Sequence, residues 1–212
     1  MLALLHTSPV HVPVFDALRD EAHPGLELRH FVDEGLLERA RAAGPDAVAA
    51  DVRAVVDRAV ADGARAVLCT CSTLGGVAET YAAEAGVPVL RVDRPMATAA
   101  VAAGARVVVL AALESTLAPT AALIEEEARR AGRPVTVRTV LVDGAWARFE
   151  AGDSEAYVRR VAAAADEVTA ADAIVLAQAS MAPAQHLATT SIPLLSSPRP
   201  GLTAAAEATR GD

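Results

Sequence analysis

Few side chains of this chain could act as chemical reagents, and the most conspicuous are its only two cysteines, in "VLCTCSTLGG". Cys69 falls inside the hydrophobic run and reads as small buried filler. Cys71 falls at the end of the run, just before an expected Gly75-Gly76 turn and a helix over "VAETYAAEA". A thiol near a helix N-terminus has a lowered pKa, which favours the nucleophilic or basic thiolate. Cys71 is therefore the candidate reagent, set against the plainer reading in which both cysteines are inert core residues. Two cysteines one residue apart do not form an easy disulfide, and reduced thiols agree with a cytoplasmic address.

Several other chemistries are excluded by what the chain lacks. It has no lysine, so all 19 positive side chains are arginines and neither a Schiff base nor a P-loop lysine is available. There is no G-x-G-x-x-G. His6, His11, His23, His30 and His186 show no spacing that marks a metal site, and Cys69 with Cys71 alone offers too few ligands, so no metal is expected. A net charge of -8 without a basic cluster argues against nucleic acid. The longest apolar stretches, such as "RVVVLAAL" from Arg106, are too short to span a bilayer, and "MLALLHTSPV" does not read as a signal peptide.

Valine- and leucine-rich runs recur and must supply the frame that positions these residues: "LALLH", "ELRHFV", "AVLCTC", "PVLRVD", "RVVVLAA", "TVRTVLV", "AIVLAQA" and "PLLSS". Such runs read as buried parallel strands. Alanine-rich segments of helical spacing separate them, as with Val48, Val52, Val55, Val56, Ala59 and Val60, stopped by Gly63. Strand alternating with helix means an α/β layered fold. "AVLCTCS…GVPVLRVD" also resembles "AIVLAQAS…SIPLLSSP", a weak internal repeat. The repeat predicts two similar lobes related by a pseudo-twofold, each a four-stranded, mostly parallel sheet flanked by helices, with a cleft between them. The expected lobes are residues 1–95 with 199–212, and 96–198. A last helix from about Gly201 returns to the first lobe.

In open parallel sheets ligands sit outside the carboxyl ends of the strands. Those ends supply His6-Thr7-Ser8, Asp33-Glu34, Cys71-Ser72-Thr73, Glu114-Ser115-Thr116, Asp143 and Gln178-Ala179-Ser180. Neutral donors and helix N-termini suit a small carboxylate or carbonyl ligand. Serine and threonine are also ordinary N-caps, which would explain Ser8, Ser72, Thr116 and Ser180 singly. His6 could hydrogen-bond a substrate or act as an acid, or be structural. Asp33 and Glu34 could hold a substrate amine or simply match a helix dipole. Asp93 with Arg94 looks like an ion pair at the lobe junction, and Trp146 and Phe149 read as core aromatics.

The "CST" after a strand, its counterpart "VLAQASMA", "LLHTSPV", "RVDRPMA", "LESTLAPT" and "SSPRPG", in this order, resemble the aspartate/glutamate racemase superfamily. It includes hydantoin racemases, maleate isomerases and arylmalonate decarboxylases. The resemblance implies cofactor-independent chemistry on a small carboxylate, in which two cysteines, one per lobe, face opposite sides of a substrate α-carbon. Cys71 falls on the first-lobe cysteine, with Ser72-Thr73 beside it. Ser115 and Thr116 fall near the carboxylate-binding threonine. The second-lobe thiol is absent, its place taken by Gln178 or, with a one-residue shift, by Ala179.

Glutamine has no proton to give, so two-thiol racemisation is in doubt. One-thiol alternatives stay open: cis–trans isomerisation by covalent addition, protonation of an enediolate after decarboxylation, or exchange on one face with water or His6 on the other. Gln178 would then donate its amide to an oxyanion. The expected function is an isomerase acting through Cys71 at the interlobe cleft. The alternatives are a decarboxylase of malonate-type acids or a metabolite-binding protein. Members of the superfamily are often dimers, so the resemblance also admits a homodimer.

Overall fold

The computed structural model describes residues 1–211. The chain divides into two compact units, one running from Met1 to Asp93 and completed by the segment that starts at Pro198, the other from Arg94 to Ser197. In the first, β1 (Leu2–His6), α1 (His11–Ala22), β2 (Leu28–Val32), α2 (Gly35–Ala43), α3 (Ala49–Ala61), β3 (Ala66–Cys69), α4 (Ser72–Thr80), α5 (Ala82–Ala85) and β4 (Val89–Arg91) follow one another. The second holds α6 (Arg94–Ala103), β5 (Arg106–Ala111), α7 (Leu117–Ala131), β6 (Thr136–Leu141), α8 (Ala145–Glu150), α9 (Ser154–Asp166), β7 (Ala173–Leu176) and β8 (Leu194–Leu195). The last helix, α10 (Pro198–Ala208), belongs to the first unit.

Each unit contains a four-stranded parallel sheet flanked by helices, in the orders β2-β1-β3-β4 and β6-β5-β7-β8. All eight apolar runs form strands. The reason is visible in the central strands: β1, β3 and β7 are buried at every position. A parallel strand covered on both faces needs apolar residues on both.

Alternation sorts those residues between two cores. In the first unit Ala3, Leu5, Val67 and Cys69 pack against Leu36, Val52, Val56 and Leu74 of α2, α3 and α4. Leu2, Leu4, Ala66 and Leu68 face Phe15 of α1 and Leu202 and Ala205 of α10 on the other side. The second unit repeats the scheme, with Val108, Leu110, Ile174 and Leu176 against Tyr157 and Val161, and Val107, Val109 and Val175 against Met96, Val101, Leu123 and Ile124. Fully burying each such side chain stabilises by about 1.5–3 kcal/mol.

Two expected boundaries differ. Gly75 and Gly76 do not form a turn; α4 begins at Ser72 and runs through both. A Cβ at Gly75 would lie 2.8 Å from the Cβ of Arg91, so glycine lets α4 lie directly on β4. The last helix starts at Pro198 instead of Gly201, because proline is well suited to the first helical position. No helix of the described residues is long and apolar enough to cross a membrane.

Candidate active site

Cys71 is the N-cap residue of α4, with extended backbone angles (φ -102°, ψ 115°). Its thiol is pushed up from its ordinary value by burial. The Thr7 side chain and the backbone N–H groups of Leu74 and Thr73 oppose this by hydrogen bonding, while the nearby Asp93 charge adds to it. The expected lowering of this pKa is thus corrected. The helix start does offer amides to the sulfur, but removal from water outweighs them. Cys69 is fully buried, its thiol pushed far up by burial, and it donates to the Cys71 carbonyl over 3.7 Å. It sits in the core, as filler.

Around Cys71, Thr7 and Thr73 are buried, and the Thr73 hydroxyl has no hydrogen-bond partner. Ser72 is buried at the first turn of α4. Ser8, one residue beyond Thr7, is half-buried and its carbonyl accepts from the His11 amide at 3.4 Å.

His6 is 0% exposed, and both ring nitrogens are engaged, Nδ1 with Thr70 Oγ1 and Nε2 with His30 Nδ1, each at 2.8 Å. Burial, together with His30 and His11, brings its pKa down to about 3. The expected contact with a substrate, or acid role, finds no free nitrogen here.

In the second unit Gln178 caps the 3-10 segment Ala179–His186 with extended backbone angles. Its Oε1 accepts from the Ala112 amide at 2.7 Å, while its Nε2 is buried and unpartnered. Because β5 and β7 pair, this bond ties the ends of two neighbouring strands. Ser115 Oγ is also buried without a partner. The Thr116 hydroxyl donates to the Leu113 carbonyl, which leaves it only acceptor capacity. Ala179 is buried, and Ser180 Oγ is paired with the Tyr157 hydroxyl at 2.8 Å.

The remaining expectations resolve as follows. Asp93 takes Arg91 as its ion-pair partner, with Nε–Oδ1 at 2.6 Å, in place of Arg94, which binds Glu126 at 3.2 Å and Glu127 at 2.5 Å. The reason is that β4 ends at Arg91 and Asp93 lies in the turn after it, whereas Arg94 opens α6 and reaches α7. Glu34 is the N-cap residue of α2, and Asp33 lies 4.0 Å from Arg39. Asp143 and Glu114 are exposed. Trp146 and Phe149 stack at 5.0 Å and pack against the core of the second unit. Among the described residues no three His, Cys, Asp or Glu side chains gather as a metal-ligand set.

Sequence reasoning missed Thr70, His30, Asp16 and Arg91. His30 carried a signal: it lies opposite Leu4 in the β1–β2 register, diagonal to His6 on the same face. Arg91 carried another, an arginine two residues from an aspartate inside an apolar run.

The profile of the Asp/Glu/Hydantoin racemase family matches residues 10–207. None of the curated proteins compared with the chain is similar enough to match. Among solved structures, a glutamate racemase of Bacillus anthracis has a TM-score of 0.73 at 15% identity, covering 98% of this chain and 80% of that one. The aspartate racemase of Picrophilus torridus has a TM-score of 0.67 at 15% identity, covering 99% and 94%. An arylmalonate decarboxylase has a TM-score of 0.56 at 17% identity, covering 100% and 94%. These likenesses show a shared fold, and the profile match spans most of the sequence: the chain belongs to the Asp/Glu/Hydantoin racemase family.

Proposed function

We propose that the protein is a cofactor-independent enzyme of isomerase type that acts on a small carboxylate or related carbonyl acid through Cys71. The observation that carries this reading is the place of Cys71, the N-cap residue of α4 just beyond the end of β3. The unpartnered Thr73 hydroxyl adds a donor on the same turn, which suits an anionic oxygen. Relatives that act on glutamate, aspartate and arylmalonates support an acid as substrate.

Gln178 holds no ionisable proton and Cys69 is fully buried in the core, so Cys71 is the thiol left to act. As thiolate it removes the α-proton from one face, and the electron pair moves into the carboxylate as an enediolate. Water on the opposite face protonates the carbon, which inverts the centre, and the thiol proton then neutralises the hydroxide left behind.

A second reading is favoured by the burial that pushes the Cys71 thiol up and keeps it protonated at rest. A resting thiol is a proton donor. In a malonate-type acid the bond to one carboxylate breaks, carbon dioxide leaves, and its electron pair forms the enediolate. Cys71 then protonates the α-carbon, and water restores the thiol.

Proton NMR in deuterated water with amino acids, hydantoins, maleate and substituted malonates tests both. Deuterium uptake or isomerisation that vanishes in Cys71→Ala supports the first reading, and loss of carbon dioxide that vanishes supports the second. Turnover unchanged in Cys71→Ala defeats both.

A further inference from the structure

The buried histidines form an ordered hydrogen-bond chain whose direction can be derived atom by atom. The single hydroxyl hydrogen of Thr70 goes to the Leu5 carbonyl, at 3.0 Å. Toward His6, Thr70 therefore only accepts, so His6 carries its hydrogen on Nδ1. A neutral His6 then has a lone pair on Nε2, and His30 Nδ1 must donate to it. The other nitrogen of His30 stands 3.4 Å from Asp16 Oδ1, so the chain runs from Leu5 to α1.

Thr70 directly precedes Cys71, and His6 directly precedes Thr7. The His6–Thr70 bond therefore ties the end of β1 to the residue before Cys71. We propose that His6 is a positioning residue for Cys71, acting through its Nδ1–H held to Thr70 Oγ1. This rests on the reading of Cys71 as the reagent.

The charged and titratable neighbours are few. On α1, His11 faces the His6 ring at 6.3 Å, and Arg19 shares Asp16 at 3.3 Å. Arg29 and Arg58 lie over Phe31, each 5.9 Å from its ring centre. Successive strand residues point to opposite faces, so that pair is on the far side of β2 from His30.

Histidine-selective nitrogen NMR tests the chain directly. The expected result is an Nδ1–H tautomer of His6, and an Nε2–H tautomer overturns the proposal.

Alkylation of Cys71 by iodoacetamide at a fixed alkaline pH, followed by mass spectrometry, tests the positioning role. His6→Leu should slow it about fivefold, the value of one lost hydrogen bond. His6→Asn, whose amide keeps the bond to Thr70, should restore the wild-type rate. Equal rates in all three proteins overturn the role. If His6→Leu does not fold, Thr70→Val, which removes the same bond, should slow alkylation alike, and a wild-type rate there overturns the role equally. Turnover that survives Cys71→Ala would defeat the reading of Cys71 as reagent while leaving both of these readouts intact.

Discussion

Arg91 and Asp93 close a buried bidentate ion pair at the end of β4, Nε to Oδ1 at 2.6 Å and Nη2 to Oδ2 at 3.0 Å. The same Nη2 reaches the Ser72 carbonyl at 3.4 Å, so the pair also holds the first residue of α4, next to Cys71. Removing one partner leaves a buried charge uncompensated. Arg91→Met should lower the unfolding free energy by about 3–5 kcal/mol, whereas Arg91→Met combined with Asp93→Leu should cost much less. Urea unfolding of the two variants measures this. Equal losses would mean that the charge itself is not what the single variant leaves behind.

Gly75 and Gly76 should respond in opposite directions to alanine. At Gly75 the new Cβ meets Arg91 Cβ at 2.8 Å and Arg91 Nε at 3.0 Å, inside a packed layer. Overpacking of this kind costs about 1–3 kcal/mol and exceeds the gain of up to about 1 kcal/mol in helix propensity. At Gly76 the nearest atom is Arg91 Nη1 at 3.6 Å, an ordinary contact. Gly76→Ala should therefore raise the melting temperature and Gly75→Ala lower it. A rise in both would show that β4 yields to α4.

Cys71 should behave as a thiol at neutral pH. Burial pushes its pKa above the ordinary 9.0, so the thiolate fraction is small and grows with pH beyond that value. Alkylation should be slower at neutral pH than for cysteine in an unstructured peptide, with a rate that still rises past the ordinary value. A plateau below it would show that Thr7 and the α4 amides outweigh burial.

The fold was legible because parallel strands buried on both faces leave apolar runs, and all eight runs are strands. The same logic separated Cys69 from Cys71, since one lies inside β3 and the other beyond it. Helix starts were less legible. "STLGG" reads as a turn from local preferences, and only the approach of Arg91 explains why Gly75 lies in a helix. The sign of the Cys71 shift was illegible for a related reason. The helix terminus is a local feature, but burial depends on the packing of distant segments, and the Asp93 charge that adds to it is 22 residues away. Contacts such as His6 with His30 join positions 24 residues apart and need the strand register to be seen.

Acid should weaken the folded state through His6 and His11. Burial lowers their pKa values from 6.5 to about 3 and about 4. Below 6.5 the unfolded chain binds protons that the folded chain does not, so stability is fully present above 6.5 and falls as pH drops toward the folded values. At a pH of about 5 the expected loss is on the order of 2 kcal/mol for each histidine. Urea unfolding at neutral and mildly acidic pH, for the wild type and for His11→Gln, measures it. An equally steep loss in His11→Gln would assign the acid sensitivity to other groups.

Gln178 presents a fixed amide. Its oxygen is held by the Ala112 N–H at 2.7 Å, so its nitrogen, buried and unpartnered, can only donate. Gln178→Met removes the acceptor and strands the Ala112 N–H, which should cost about 1–3 kcal/mol of stability. Gln178→Glu keeps that acceptor but replaces the donor with an oxygen that repels a carboxylate. If the amide nitrogen serves a ligand oxygen, Gln178→Glu should weaken carboxylate binding by about tenfold or more, the worth of a hydrogen bond to a charged group. Calorimetric titration with a substituted malonate, alongside unfolding of each variant, separates the two effects. Binding unchanged in Gln178→Glu would confine this side chain to tying β5 to β7.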